Sequence, residues 1–121
     1  VLPKQYRLHD YQEIERVKKE GKLSQSPLFG VLILEKTGQS VSLSVPPRFA
    51  FIVSKKVSIK ATERNRIKRV LSESVRSLLP AIKPDIDGIF LGKRGIIGKK
   101  RTEIEPELEN IFRKAKLLRE F

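Results

Sequence analysis

Cysteine, methionine and tryptophan are missing from this 121-residue chain, and histidine occurs once, as His9. Without cysteine there are no disulfides, no thiolate metal sites and no cysteine nucleophile. A lone His near the start of a chain is ordinarily a surface or capping residue, and it offers no spacing from which a pair of imidazole ligands could be read. Long apolar runs are missing too. The longest stretches, such as residues 28–34, are far too short to span a bilayer, and residues 1–10 lack the apolar run of a signal peptide, so a cytoplasmic chain with no membrane partner is expected. The chain does not open on Met, which suggests trimming or an incomplete chain.

Negative charge is also scarce: 14 Asp and Glu stand against 26 Lys and Arg, a formal net charge of +12. That excess favours a polyanionic partner, nucleic acid first, over a neutral small substrate. Carboxylates that could serve catalysis do not gather. Glu13 and Glu15 diverge on a helix, and Asp85 with Asp87, although able to share one side of a strand, follow Pro84 and better fit a turn leading into a strand. No catalytic residue and no protein metal site is assigned. With 39% apolar residues there is material for one modest core, and a single domain over residues 1–121 is expected.

Residues 10–21 predict a short helix, with Asp10 as cap, Glu13 at the capping-box position, Ile14 and Val17 on one face and Gly21 at the exit. The apolar run 28–35, the turn Thr37-Gly38-Gln39 and the alternating residues 40–45 resemble a hairpin. Pro46-Pro47 interrupts it. Residues 48–53 resume as a strand with Phe49, Phe51 and Val53 on one side and Arg48, Ala50 and Ile52 on the other. From about residue 60 to 79 the period becomes helical, with Ile67, Val70, Leu71, Val75, Leu78 and Leu79 in one arc. Pro80 and Pro84 end that helix, residues 87–92 give a fourth strand, and a basic loop follows. Thr102 and Glu105 make a capping-box pattern for a last helix, with Pro106 in its first turn and Ile104, Leu108, Ile111, Phe112, Ala115 and Leu118 at helical spacing. Phe49, Phe51, Phe90 and Phe112 are expected in the core rather than on a base-stacking surface. The order αβββαβα, without repeats or long linkers, predicts an α+β fold.

The most informative stretch is Arg64-Asn65-Arg66-Ile67-Lys68-Arg69, shortly after Ser54-Lys55-Lys56. On the helical wheel Asn65, Arg66, Lys68, Arg69, Ser72 and Arg76 fall outside the apolar arc and Arg64 lies near its edge. From Lys55 to Arg76 there are eight Lys or Arg against two acids, Glu63 and Glu73, an asymmetry beyond that of an ordinary solvated helix face. Lys55, Lys56, Arg64, Asn65, Arg66, Lys68, Arg69 and Arg76 are therefore the candidate RNA-binding residues, each cation able to neutralise a phosphate and release a counterion. The loop Gly92-Lys93-Arg94-Gly95 with Gly98-Lys99-Lys100-Arg101 lacks the lysine-hydroxyl ending of a P-loop; phosphate contact and a plain surface turn stay open for it.

Tyr6-Arg7-Leu8 before a short helix, Pro27-Leu28-Phe29 opening a strand, Ser54-Lys55-Lys56-Val57, Lys60-Ala61, the Arg64 to Arg69 run and residues 108–116 together resemble the protein subunit of bacterial ribonuclease P, over nearly the whole chain. The resemblance implies an αβββαβα sandwich with a four-stranded mixed sheet and a left-handed crossover. It further implies a role beside a catalytic RNA that removes the 5′ leader from precursor tRNA. Arg64, Asn65, Arg66, Lys68 and Arg69 match the positions that dock on the catalytic RNA. Ile14, Lys18, Leu32, Ile52 and Lys56 match a cleft, between the first helix and one face of the sheet, that holds the single-stranded leader. Relatives often carry aromatic residues at the first-helix and strand positions, where Ile14, Lys18 and Leu32 give aliphatic or cationic contact instead. The implied partners are the ribonuclease P RNA and the precursor tRNA leader, in a holoenzyme of one protein and one RNA. Mg2+ ions held with the RNA, rather than protein side chains, would carry the hydrolysis.

Composition alone leaves a runner-up open, a noncatalytic RNA-binding protein such as a ribosomal protein or RNA chaperone. The discriminator is the joint presence of the basic helix, the Ser54-Lys55-Lys56 strand end and a leader-sized cleft, since a generic RNA binder needs only the first. A DNA-binding protein fits less well, because no second helix pairs with the basic one as a helix-turn-helix.

Overall fold

A computed structural model describes residues 2–36 and 45–119. Helix α1 spans Tyr11–Glu20 and begins at Asp10, whose carboxylate accepts from the backbone N–H groups of Gln12 at 2.8 Å and Glu13 at 3.4 Å, satisfying donors that a first turn leaves unpaired. Strands β1 (Lys22–Gln25) and β2 (Phe29–Glu35) form a hairpin about Ser26, whose hydroxyl accepts from the N–H groups of Leu28 and Phe29, each at 3.2 Å. Strand β3 (Arg48–Ile52) leads to helix α2 (Ala61–Leu78), strand β4 (Ile86–Gly92) and helix α3 (Arg101–Lys114).

The sheet order is β1-β2-β4-β3, antiparallel except for the parallel β3–β4 pair joined through α2, so the sheet is mixed. Side chains alternate between its two faces. One face carries Phe29, Val31, Ile33, Phe49 and Phe90 against Ile67, Leu71 and Val75 of α2 and Ile104, Leu108 and Phe112 of α3. Phe90 is the centre of that core: its ring lies 5.3 Å from Phe51, 5.6 Å from Phe49, 5.7 Å from Phe29 and 6.2 Å from Phe112. The opposite face has a smaller cluster, in which Leu8, Val17 and Ile89 are buried while Ile14, Leu32, Leu34, Ala50, Ile52 and Leu91 are only partly covered. Ten residues of α1 do not roof a whole sheet face, and the uncovered remainder becomes the site.

The order αβββαβα is the expected one, yet its strands differ. The hairpin partner of β2 is β1, a four-residue strand of mostly polar residues before it. Residues 37–44, with the expected turn and most of the expected strand 40–45, lie outside the described residues. Val45 belongs to no strand and is clamped to Asp85, its N–H donating to Asp85 Oδ1 at 2.8 Å and its carbonyl accepting from the Asp85 N–H at 2.9 Å. Asp85 makes the expected turn, with φ 63. Helix α3 also starts earlier than Thr102: Lys100 is its cap, and the Glu103 carboxylate accepts from the Lys100 N–H at 2.9 Å. That hydrogen bond holds the Glu103 pKa below the usual carboxylate range. Pro106 consequently sits inside the helix rather than in its first turn.

The two sheet faces tolerate added volume differently. A Cβ on Gly88 would stand 2.8 Å from Phe49 Cδ1 and 3.1 Å from Ile33 Cδ1, whereas one on Gly30, on the other face, would meet Leu23 Cδ1 at an ordinary 3.5 Å. Gly88→Ala should cost about 1–3 kcal/mol in urea unfolding, by overpacking. Gly30→Ala should stay within about 0.5 kcal/mol of the parent.

Candidate nucleic-acid interface

The inner seam of α2, Ile67, Leu71 and Val75 at four-residue spacing, is fully buried and fixes which way the rest of the helix points. Asn65, Arg69 and Arg76 are exposed, and Arg66 and Lys68 are half-buried. Ser72 departs from the expected polar side. It is buried, which its own helix permits because the hydroxyl donates to the Arg69 carbonyl at 2.9 Å.

Seven acidic groups form ion pairs among the described residues, none of them on α2. Among the described residues the ion pairs are Arg16–Glu20, Lys18–Glu15, Lys99–Glu103, Arg101–Glu105 and Arg113–Glu109, together with a cluster of Lys36, Arg48, Glu13 and Asp87. None of these includes Lys55, Lys56, Arg64, Arg66, Lys68, Arg69 or Arg76, and Glu63 and Glu73 on α2 itself pair with no cation among the described residues. A row of cations lacking counter-charges repels itself and attracts an external polyanion. Arg64 also acts within the fold, where its Nη1 donates to the Ser58 carbonyl at 2.9 Å and braces the turn ahead of the helix.

Lys55 and Lys56 stand exposed on a turn closed by the Val57 N–H to the Ser54 carbonyl at 3.0 Å. The basic loop after β4 supports them. Arg94 Nε donates to the Lys56 carbonyl at 2.9 Å, and Lys93 Nζ donates to Gln25 Oε1 at 2.7 Å and the Ser26 carbonyl at 2.9 Å. With Lys99 and Arg101 paired to acids of α3, that loop is a brace within the fold more than a phosphate cradle. Sequence reasoning left both options open because the bracing contacts are some 38 to 68 residues apart along the chain.

A groove of about 530 Å³ runs along β3 between the start of α1 and the polar side of α2. Ala50 and Ile52 form its floor, His9 and Ile14 one wall, and Asn65, Lys68 and Arg69 the other. Of the residues expected in a cleft, Ile14, Leu32 and Ile52 meet in the cluster beneath α1. Lys18 does not join them; it is exposed on α1 with its Nζ 3.6 Å from Glu15 Oε1. Lys56 is on the turn held by Arg94. The groove therefore merges residues from two groups that the sequence kept apart, a cationic helix and an apolar cleft. His9, assigned to ordinary surface, is on its wall.

The other feature missed by sequence reasoning ties the start of β3 to α1 and β4. Arg48 Nε and Nη2 each donate to an Asp87 oxygen at 3.0 Å, Nη1 donates to Glu13 Oε1 at 3.2 Å, and Nη2 also bonds Glu13 Oε2. Lys36 Nζ stands 3.2 Å from Asp87 Oδ2. Partial burial opposes the Arg48 charge, but the hydrogen bonds and negative charges of Glu13 and Asp87 outweigh it, and the guanidinium pKa is raised. Glu13, expected to complete a capping box, serves Arg48 instead. Among the described residues no three His, Asp or Glu side chains come together as a metal cage.

Comparison with known proteins places the chain in a family. A family model described as Ribonuclease P matches residues 2–116. The ribonuclease P protein component of Rippkaea orientalis is 35% identical over 118 residues, covering 97% of this chain and 91% of its own. That of an Exiguobacterium species is 32% identical over 118 residues, covering 96% and 95%. The Staphylococcus aureus RNase P protein structure superposes with a TM-score of 0.77 at 24% identity, covering 96% of this chain and 100% of that one, a likeness of fold. The chain belongs to the ribonuclease P protein family.

Removing the Arg94 brace should loosen the lysine turn. In Arg94→Ala, hydrogen exchange at the Val57 amide should quicken by about fivefold, the equivalent of one lost hydrogen bond of about 1 kcal/mol, with core amides of β4 unchanged. An unchanged Val57 rate would show that the turn stands without Arg94.

Proposed function

We propose that this ribonuclease P protein binds a catalytic ribonuclease P RNA through the outer side of α2 and the Lys55-Lys56 turn, and guides the single-stranded 5′ leader of precursor tRNA along the groove over Ala50 and Ile52. The carrying observation is the adjacency of the two surfaces: Lys68 and Arg69, in no ion pair among the described residues, share a groove with the apolar face beneath α1. Cations suit a phosphate backbone, and an apolar floor suits the faces of unpaired bases, so the pair fits RNA that passes from folded to single-stranded. The floor is aliphatic, which supports leader contact by packing and charge rather than by ring stacking. The protein works inside the cell's soluble phase, as one copy beside one RNA.

Two RNAs brought together repel, and a protein of net charge +12 between them lowers that cost. In this reading, phosphodiester hydrolysis leaving a 5′ phosphate on the tRNA is the work of the RNA. Mg2+ held by the RNA would activate water and stabilise the leaving oxygen. The chain's own residues bind, orient and neutralise.

Two measurements test this. A 5′-labelled precursor tRNA with a bacterial ribonuclease P RNA at low magnesium should be cut at the mature 5′ end only when the protein is added. Absence of rescue with an RNA active at high magnesium, while RNA binding persists, would favour a generic RNA-binding protein. If the interface meets about five phosphates, the logarithm of RNA affinity should fall against the logarithm of salt with a slope of roughly −3.5 to −4.5, and replacing Arg66, Lys68 and Arg69 together with Ala should flatten it by about 2 to 3. An unchanged slope would remove α2 from the interface.

A further inference from the structure

Helix α1 forms one wall of the groove, yet its hold on the sheet is slight. Val17 is its one fully buried side chain among ten residues, packed with Leu8 and Ile89. The second hold is ionic: Glu13, one residue before Ile14, meets Arg48 at the start of β3, and Arg48 is fixed in turn by Asp87 of β4. Asp87 is 3% exposed, and it keeps a fixed position because two cations, Arg48 and Lys36, face it. A planar guanidinium bonded to two carboxylates sets direction as well as distance, which an ammonium cannot do. The four charges sum to zero, so the cluster adds nothing to the attraction for RNA. Its effect is on geometry.

We propose that Arg48 is a positioning residue for leader binding: through Glu13 it sets the tilt of α1 about the Val17 plug, and so the distance from Ile14 and His9 to the Ala50 and Ile52 floor. The proposal rests on the reading of the groove as the leader site. With the clasp intact, the groove is preformed and the leader is bound without first ordering its wall. With the clasp broken, α1 remains on Val17 but pivots, and part of the leader's binding energy goes into restoring the wall. The basic side of α2, held by a separate apolar seam on the other face of the sheet, is unaffected.

The test uses the reconstituted holoenzyme with two precursor tRNAs, one carrying a leader of one nucleotide and one of about eight, within the span a groove of this kind contacts. The variants are Glu13→Gln, which leaves the Arg48–Asp87 pair in place, and Arg48→Met, which leaves Asp87 paired with Lys36. Each should raise KM for the long-leader substrate roughly three- to tenfold, the scale of one lost charged contact. The KM for the short-leader substrate, kcat for both, and affinity for the RNA subunit should be unchanged. Retention of the full long-leader advantage in both variants would overturn the proposal. So would a loss shared equally by both substrates and by RNA-subunit affinity, which would make the cluster a general element of stability. If the unaltered holoenzyme itself gains nothing from a longer leader, the groove is not the leader site, and that failure is read from the parent protein alone.

Discussion

The orientation of every candidate contact depends on the packing of α2 against the ring cluster at Phe90. Ile67, Leu71 and Val75 can face only one way, into the phenylalanines of the sheet, and once they do, Asn65, Arg66, Lys68 and Arg69 have no choice but to face or flank the solvent. The same strand that supplies Phe49 and Phe51 to that core supplies Ala50 and Ile52 to the other side. One short strand at the sheet edge thus fixes both the helix that carries charge and the floor beside it.

Charge is arranged by subtraction. The chain has 26 basic residues, but several of them are answered by acids one helical turn away on α1 and α3, pairs that at exposed sites contribute little to stability. Their effect is to neutralise those helices. Residues 55–76, with eight Lys or Arg against two acids, carry half of the net charge of +12, next to the partly covered apolar surface. A uniform spread of the same charge would attract RNA without orienting it. The neutral cluster around Arg48 belongs to the other half of the design: it fixes a wall and leaves the field unchanged.

Much of this was legible in the chain. The helical period from residue 60 onward locates α2 within a residue at each end, and the alternation after Pro47 assigns both faces of β3 correctly, because each pattern is long enough or strict enough to be set by local geometry. The strand β1 was not legible: Lys22, Leu23, Ser24 and Gln25 have weak strand preference and pair only because β2 lies beside them. The α3 boundary was missed for a similar reason, since Lys100 caps through backbone geometry and Glu103 rather than through a preferred capping side chain. The Arg48 cluster joins residues 13, 36, 48 and 87, and no spacing rule brings such positions together. Family resemblance supplied the idea of a cleft and a docking helix; the structure supplied the groove that unites them, with His9 on its wall and Lys18 outside it.

The central claim is that one side of α2 meets the RNA subunit while the floor beside it meets the leader. A chain without cysteine allows a unique probe to be placed at will, so a tethered hydroxyl-radical source at Lys68→Cys, Ile52→Cys or, as a remote control, Arg113→Cys can report on the assembled holoenzyme with bound precursor tRNA. The account predicts strand scission in the RNA subunit from position 68, in the leader from position 52, and little in either from position 113. Scission concentrated at position 113, with positions 68 and 52 silent, would contradict it.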